Sequence, residues 1–275
     1  MTTTTAPASA ATTARPVPRR QRLAAHAVRV RVTARREVSP HVVRVTVAGE
    51  GLHDVSALGD DQYVRLLLPR PGQARLRLPE TERWWPEMQA MPADERPVLR
   101  NYTVRALRPE AGELDVDLVT HGESGPASRW ALTTRPGDEV GVVVQDTCYA
   151  PPAGTRHVLL VADATAVPAA AGILAGLPEG VGASVLVEVP TADDAPDLPE
   201  RDGVDVRWRA ATPGRSLLDD VVRADLPTTG LYAWVAGEAA TATGVRRHLV
   251  RERGLGKDDV YFCGYWRSDA PAYED

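Results

Sequence analysis

The sequence predicts two domains in succession: an antiparallel β-barrel or sandwich, then an α/β domain of the nucleotide-binding kind. Apolar and polar residues alternate repeatedly through the first half, strand and helix patterns alternate through the second, and Pro151 and Pro152 stand where one pattern gives way to the other. A chain of 275 residues has room for both. Its 43% hydrophobic and 25% charged composition is that of a folded globular protein and rules out extensive disorder beyond the first residues.

Residues 1–22 are a Thr/Ala/Pro/Arg tail of low complexity, expected to be disordered. The barrel is assigned to residues 23–150. In Val42-Val43-Arg44-Val45-Thr46-Val47 the odd-numbered valines point to a core, with Arg44 and Thr46 turned away. Val64, Leu66 and Leu68 share one side of the next strand, leaving Arg65 beside Tyr63 on the other. Leu114, Val116 and Leu118 repeat the pattern against outward Glu113, Asp115 and Asp117. Residues 80–97, rich in proline and containing Trp84-Trp85-Pro86, read as a long connection.

Residues 151–154 form the expected linker, and residues 155–275 the α/β domain. Strands are expected at 157–162, 182–189, 204–208, 231–236 and 260–263, with helices near 167–176, 216–222 and 239–253. Repeated strand-helix order closes a parallel sheet.

Charge excludes some function classes. Eight arginines and no acid lie in residues 1–36, and the remainder carries 24 basic against 37 acidic residues. An acidic body lacks the footprint of a nucleic-acid binder. No stretch is long and apolar enough to insert in a membrane, and no secretory leader is evident, so a cytoplasmic location is expected. Cys148 and Cys263 cannot by themselves hold an iron–sulfur centre, and no His/Cys/Glu constellation suggests a metal site.

Two segments carry ligand chemistry. In Arg100-Asn101-Tyr102-Thr103-Val104-Arg105, an arginine can pair with a diphosphate, a tyrosine can lie against an extended aromatic ring, and a threonine can hydrogen-bond a ring nitrogen. An exposed strand end with solvated arginines is the alternative. In residues 121–130, Pro126 suits a first helical turn that Ser124 would cap. Gly125, Ala127 and Ser128 permit close approach of a phosphate to free N–H groups, and His121 stands nearby. A plain capped helix is the alternative.

The ordered set Arg-x-Tyr-Thr-x-Arg at 100–105, His-Gly-x-x-Gly-Pro-Ala-Ser-x-Trp at 121–130, Asp-x-Thr-Ala-x-Pro-Ala at 163–169, Gly-Glu at 237–238 and Gly-Tyr-Trp-Arg at 264–267 resembles the siderophore-interacting protein family. These are FAD-dependent ferric-siderophore reductases of the ferredoxin-reductase superfamily. The resemblance covers residues 22–268 and implies an N-terminal FAD-binding barrel with a C-terminal nicotinamide-binding domain. It implies FAD contacts from Arg100, Tyr102, Thr103 and Arg105, from Asp117, Val119 and His121, and from Gly125, Pro126, Ala127 and Ser128. Thr103 would stand at the reactive ring edge, with Tyr265 and Trp266 covering it. Asp163, Thr165, Ala166, Gly237 and Glu238 would meet NADH or NADPH, although Asp163 can equally cap a helix and Gly237-Glu238 can be a packed turn. Asp193 and Asp194 disfavour an added phosphate, while Arg207 and Arg209 can offset them, which leans the donor slightly toward NADH.

The resemblance further implies that Arg65, Arg129 and Arg267 receive the anionic oxygen shell of a ferric siderophore; otherwise they are solvated surface charges. The chain departs from the family pattern in three places: Arg65 replaces a lysine, Ala162 and Ala164 replace glycine and glutamate, and Ser268-Asp269 replaces an arginine- and glycine-rich ending. The expected activity moves electrons from reduced nicotinamide through FAD to chelated ferric iron, favouring intracellular iron release, with the protein acting as a monomer. A general flavin reductase and a nonenzymatic siderophore-binding iron carrier are the alternatives.

Overall fold

A computed structural model describes residues 26–268 apart from 74, 123, 124, 196 and 197, so the expected tail at 1–22, the Ser124 cap and Asp269 lie outside the described residues. Two sheets carry the fold. The first holds seven strands: β1 (Val28–Ser39), β2 (Val42–Ala48), β3 (Tyr63–Leu68), β4 (Val98–Thr103), β5 (Ala106–Arg108), β6 (Glu113–Val119) and β7 (Glu139–Val144), in the order β4-β3-β7-β1-β2-β6-β5. All its pairings are antiparallel. The edge strands β4 and β5 are joined by a two-residue bend. There Val104 N donates to Gln62 O (2.8 Å) on one side and Arg105 N to Asp115 O (2.9 Å) on the other, which closes the sheet into a barrel.

Alternation puts Val43, Val45, Val47, Val64, Leu66, Leu114, Val116 and Leu118 in the interior. Each aliphatic chain removed from water contributes roughly 1.5–3 kcal/mol. The polar faces of β2, β5 and β6 carry an ion-pair ladder: Arg44 grips Asp117 in two bonds (2.6 and 2.7 Å), and Arg108 grips Asp115 likewise (both 2.9 Å). Two helices complete the barrel. The stretch expected to be a plain connection contains α1 (Trp84–Ala90), which covers the outer face at Leu67 and Val143 through Trp84 and Met88. Pro86 sits early in that helix, where its missing N–H costs nothing. Helix α2 (Pro126–Thr133) enters the barrel core with Ala127, Trp130 and Ala131.

The second sheet is parallel, in the order β10-β9-β8-β11-β12: β8 (His157–Asp163), β9 (Gly182–Val189), β10 (Val204–Ala210), β11 (Leu231–Glu238) and β12 (Val260–Trp266). Helix α3 (Val167–Gly176) covers one face; α4 (Leu217–Arg223) and α5 (Ala239–Arg251) cover the other. The strand order reverses between β8 and β11, and a crevice outside the carboxyl ends of two such strands is where open α/β sheets receive ligands. Strand β12 runs three residues beyond the expected end, so Gly264, Tyr265 and Trp266 belong to the sheet.

Candidate flavin and nicotinamide site

On β4 the motif divides between two sides. Arg100 and Tyr102 lie opposite Leu66 and Val64, whereas Asn101 and Thr103 lie opposite Arg65 and Tyr63. Tyr102 packs against the barrel core, and burial pushes its phenol up to about 12, against a smaller pull from the Arg100 charge. The ring is therefore neutral at ordinary pH. Arg100 Nη1 donates to Leu99 O (2.8 Å), and Thr103 is only 5% exposed.

The 121–128 segment closes on itself through Ser128. That buried hydroxyl accepts from His121 N (3.1 Å) and donates to Gly122 O (2.5 Å), so its donor is spent on the loop. His121 itself is exposed. The N-cap of α2 is Gly125 at φ 85°, which provides no side-chain acceptor to the first turn, and Pro126 stands at its start. Arg129 N donates to Gly125 O (3.1 Å). With no side-chain cap from Gly125, the turn suits an anion at its backbone N–H groups.

Arg105, Asp117 and Val119 line a groove between the domains, facing Ala164 and Pro168 across it. Arg105 Nε is 3.7 Å from Asp117, whose carboxylate already holds Arg44.

At the end of β8, Asp163 is a junction. Its Oδ1 accepts from Thr165 N (2.9 Å) and Thr165 Oγ1 (2.5 Å); its Oδ2 accepts from Glu238 N (2.8 Å) and Trp266 Nε1 (2.7 Å). One carboxylate thus ties together the ends of β8, β11 and β12. Gly237 makes that approach possible: at φ 141° it adopts a backbone few residues tolerate, and a Cβ there would stand 2.5 Å from Asp163 Oδ2. Glu238 caps α5 by accepting from Thr241 N (2.8 Å). Burial opposes ionisation of that carboxylate, but amide donors from Thr241, Ala240 and Ser268 outweigh it and hold its pKa low. Ala166 is fully buried under α3, leaving only its backbone to a ligand.

The two domains meet at Tyr265. Gly237 pairs with Gly264 and Glu238 with Trp266, so Tyr265 is the extra residue of a β-bulge. The bulge re-aims its side chain, and the hydroxyl lies close to the Thr103 side chain. Burial of that hydroxyl drives its pKa up although the residue is 39% exposed overall. Trp266, 46% exposed, is anchored by Asp163. Thus Thr103, Tyr265, Trp266, Asp163, Gly237 and Glu238 form one connected constellation.

The three arginines assigned to the substrate stand on different elements. Arg65 on β3 lies over the Trp84 ring, 5.1 Å from its centroid, with Nε buried and without a hydrogen-bond partner. Arg129 is half-buried on α2, and Arg267 is exposed after β12. Among the described residues no group of three or more His, Cys, Asp or Glu is placed to hold a metal ion.

Sequence reasoning missed what locks the domains together. Asp61, 3% exposed, accepts from Cys148 N (2.8 Å), Tyr149 N (2.9 Å) and Trp234 Nε1 (2.9 Å), bolting the barrel to the linker and to β11. Asp194 accepts from Thr191, Ser39 Oγ (2.7 Å), His41 N (2.9 Å) and His41 Nδ1 (2.8 Å). Although burial raises its pKa, these donors prevail and hold the carboxyl below its usual range. Asp194 is therefore an interdomain tie. Helix α3 closes against the Asp60 backbone at Gly172, where any side chain would collide with the Asp60 carbonyl. The Gly172-x-x-x-Gly176 spacing was the available signal for this contact.

The residues present fit FAD: a helix turn with no side-chain cap among the described residues, for phosphate oxygens, a half-buried neutral tyrosine beside an arginine on β4, and a buried threonine at the domain junction. Residues 31–145 match the family described as siderophore-interacting FAD-binding domain, and residues 155–269 the family described as siderophore-interacting protein. The chain is 30% identical over 241 residues to ferric vibriobactin reductase ViuB of Vibrio cholerae, covering 84% of this chain and 85% of that one. It is also similar to the siderophore-interacting protein SipS from Aeromonas hydrophila, with a TM-score of 0.78 at 30% identity over 90% of this chain and 94% of that one. The ferredoxin reductase of carbazole 1,9a-dioxygenase shares the fold, with a TM-score of 0.63 at 15% identity over 87% and 69% of the two chains.

Proposed function

The chain belongs to the siderophore-interacting protein family, and from that premise we propose that it is an NAD(P)H-dependent ferric-siderophore reductase using FAD. The observation that carries this reading is the nearness of Tyr265, on the bulge of β12, to Thr103 at the end of β4. It brings the last strand of the parallel sheet onto the β4 motif suited to hold a flavin, so an electron donor on one domain can reach an acceptor on the other.

Bound FAD would supply acceptance of a hydride and delivery of single electrons, so one reduced nicotinamide serves two ferric ions. The protein's part is placement. Arg100 and the α2 amides offset the diphosphate charge. Tyr102 offers an uncharged aromatic face, and Thr103 offers a hydroxyl to the ring edge. Tyr265 would shield that edge from water, with Trp266 held nearby by Asp163. Thr165 and the turn at Gly237-Glu238 border the donor. The iron arrives inside its chelator as substrate, and Arg65, Arg129 and Arg267 attract the anionic oxygens around it. Both nucleotide sites lie in one chain, so a monomer suffices. No helix among the described residues is long and apolar enough to cross a membrane.

Substrate profiling of the FAD-loaded protein tests this reading. Reduced nicotinamide should bleach the flavin, and ferric siderophores should sustain turnover better than free flavin or quinone. Preference for free flavin would instead identify a general flavin reductase, and binding of ferric chelates without turnover a carrier.

A further inference from the structure

Outward from the β8/β11 switch point, the carboxyl ends of β9 and β10 continue the rim of the parallel sheet. Asp163, Glu188 and Arg209 stand side by side there on three adjacent strands: Asp163 pairs in register with Glu188, and Glu188 with Arg209. Glu188 is the second-last residue of β9, and its side chain is 28% exposed. In sheets of this winding, an acidic residue about twenty positions beyond the first strand-helix turn accepts hydrogen bonds from the adenosine ribose 2′-hydroxyl, whereas a 2′-phosphate needs an available arginine. Glu188 holds that position relative to the 163–166 turn.

The arginines described at this edge each face a carboxylate. Arg209 lies 2.9 Å from Glu188 and donates through Nη1 to Asp220 (3.0 Å), while its buried Nη2 makes no hydrogen bond. Arg215 lies 3.5 Å from Asp220, and Arg207 2.7 Å from Asp205. The first turn of α4 carries Asp219 and Asp220. Asp194, one of two acids on which the sequence-based leaning toward NADH rested, is occupied by the barrel. Glu188 and Asp220, which that reading did not name, stand against Arg209, which it did.

We propose that Glu188 takes the ribose hydroxyls of the donor, that Asp220 keeps Arg209 from serving a 2′-phosphate, and that the donor is NADH. This inference rests on the reading of the parallel sheet as the donor domain. A 2′-phosphate would enter beside Glu188 and Asp220 with up to two further negative charges, where the described arginines already face carboxylates.

Two readouts on the FAD-loaded protein test the proposal. Calorimetric titration should find 5′-AMP binding at least tenfold tighter than 2′-phosphoadenosine 5′-phosphate, and NADH should bleach the flavin with at least tenfold higher efficiency than NADPH. Asp220→Asn, which frees Arg209, should shrink the binding ratio severalfold, and Glu188→Gln should weaken 5′-AMP more than its 2′-phosphorylated counterpart. Equal binding of the two nucleotides by the unaltered protein, or a preference for the phosphorylated one, would overturn the proposal while leaving the donor reaction standing. If neither dinucleotide bleaches the flavin, the donor reading falls, and the titrations still decide what Glu188 recognises.

Discussion

Two turns in this protein precede helices and look alike in sequence, yet the fold uses them in opposite ways. At 125–128 the cap is Gly125, which has no side-chain acceptor to give the helix and so suits the first turn of α2 to a ligand's oxygens. At 163–166 the cap is Asp163, whose carboxylate serves Thr165, Glu238 and Trp266. The first turn suits an anion because it brings no charge of its own. The second is already closed by an anion, so a donor nucleotide must lie against its rim. An acid or a glycine at one position decides whether a helix start can bind phosphate or instead fastens strands together.

The sharpest way to break this contrast is to remove the closing carboxylate. Asp163→Ala should destabilise the protein by on the order of 2–3 kcal/mol, because several donors lose a charged acceptor at once. Urea unfolding would read the loss, and Trp266 fluorescence the release of its indole. FAD content should be nearly unchanged once the variant is folded. Arg100→Ala should do the converse, weakening FAD retention at least tenfold, or about 1.4 kcal/mol, with little effect on unfolding of the apoprotein. Equal FAD affinity in the two folded proteins would exclude Arg100 as an anchor.

A smaller effect is expected from acid at the interdomain tie. Asp194 titrates lower folded than unfolded, so its stabilisation is complete above the unfolded carboxylate value of about 3.9 and is lost as pH falls toward the folded one. The stability advantage of the natural protein over Asp194→Asn should therefore be flat near neutrality and shrink below about pH 4. An advantage independent of pH through that window would remove the assigned role.

Much of the fold was legible because local rules agree with the tertiary outcome. Val43, Val45 and Val47 alternate because one side of β2 faces a core, and that alternation is visible without knowing which strand lies alongside. Helix α5 is apolar at Ala242, Val245 and Leu249 for the same reason. Illegible features depended on distant partners. Asp61 and Trp234 are 173 residues apart, and nothing near either announces the bond. Helix α1 was hidden because Pro86 reads as a breaker unless the helix start is already known. The bulge at Tyr265 was hidden because it interrupts the alternation that locates strands. Within the candidate site, the motifs did not announce the contacts their residues make: Ser128 ties its own loop, Asp163 is a junction, and Glu188 carried no motif.

The central claim is that electrons leave the flavin for chelated iron, and it is tested most directly by mixing photoreduced, FAD-loaded protein anaerobically with ferric siderophores in the absence of nicotinamide. Flavin absorbance and ferrous iron captured by a chromogenic chelator would be followed separately, across a range of salt concentrations. The account predicts reoxidation of each FAD with appearance of two ferrous ions, at a rate that falls with salt and falls further in Arg267→Gln. Flavin that stays reduced, or that reoxidises without ferrous iron appearing, would contradict it.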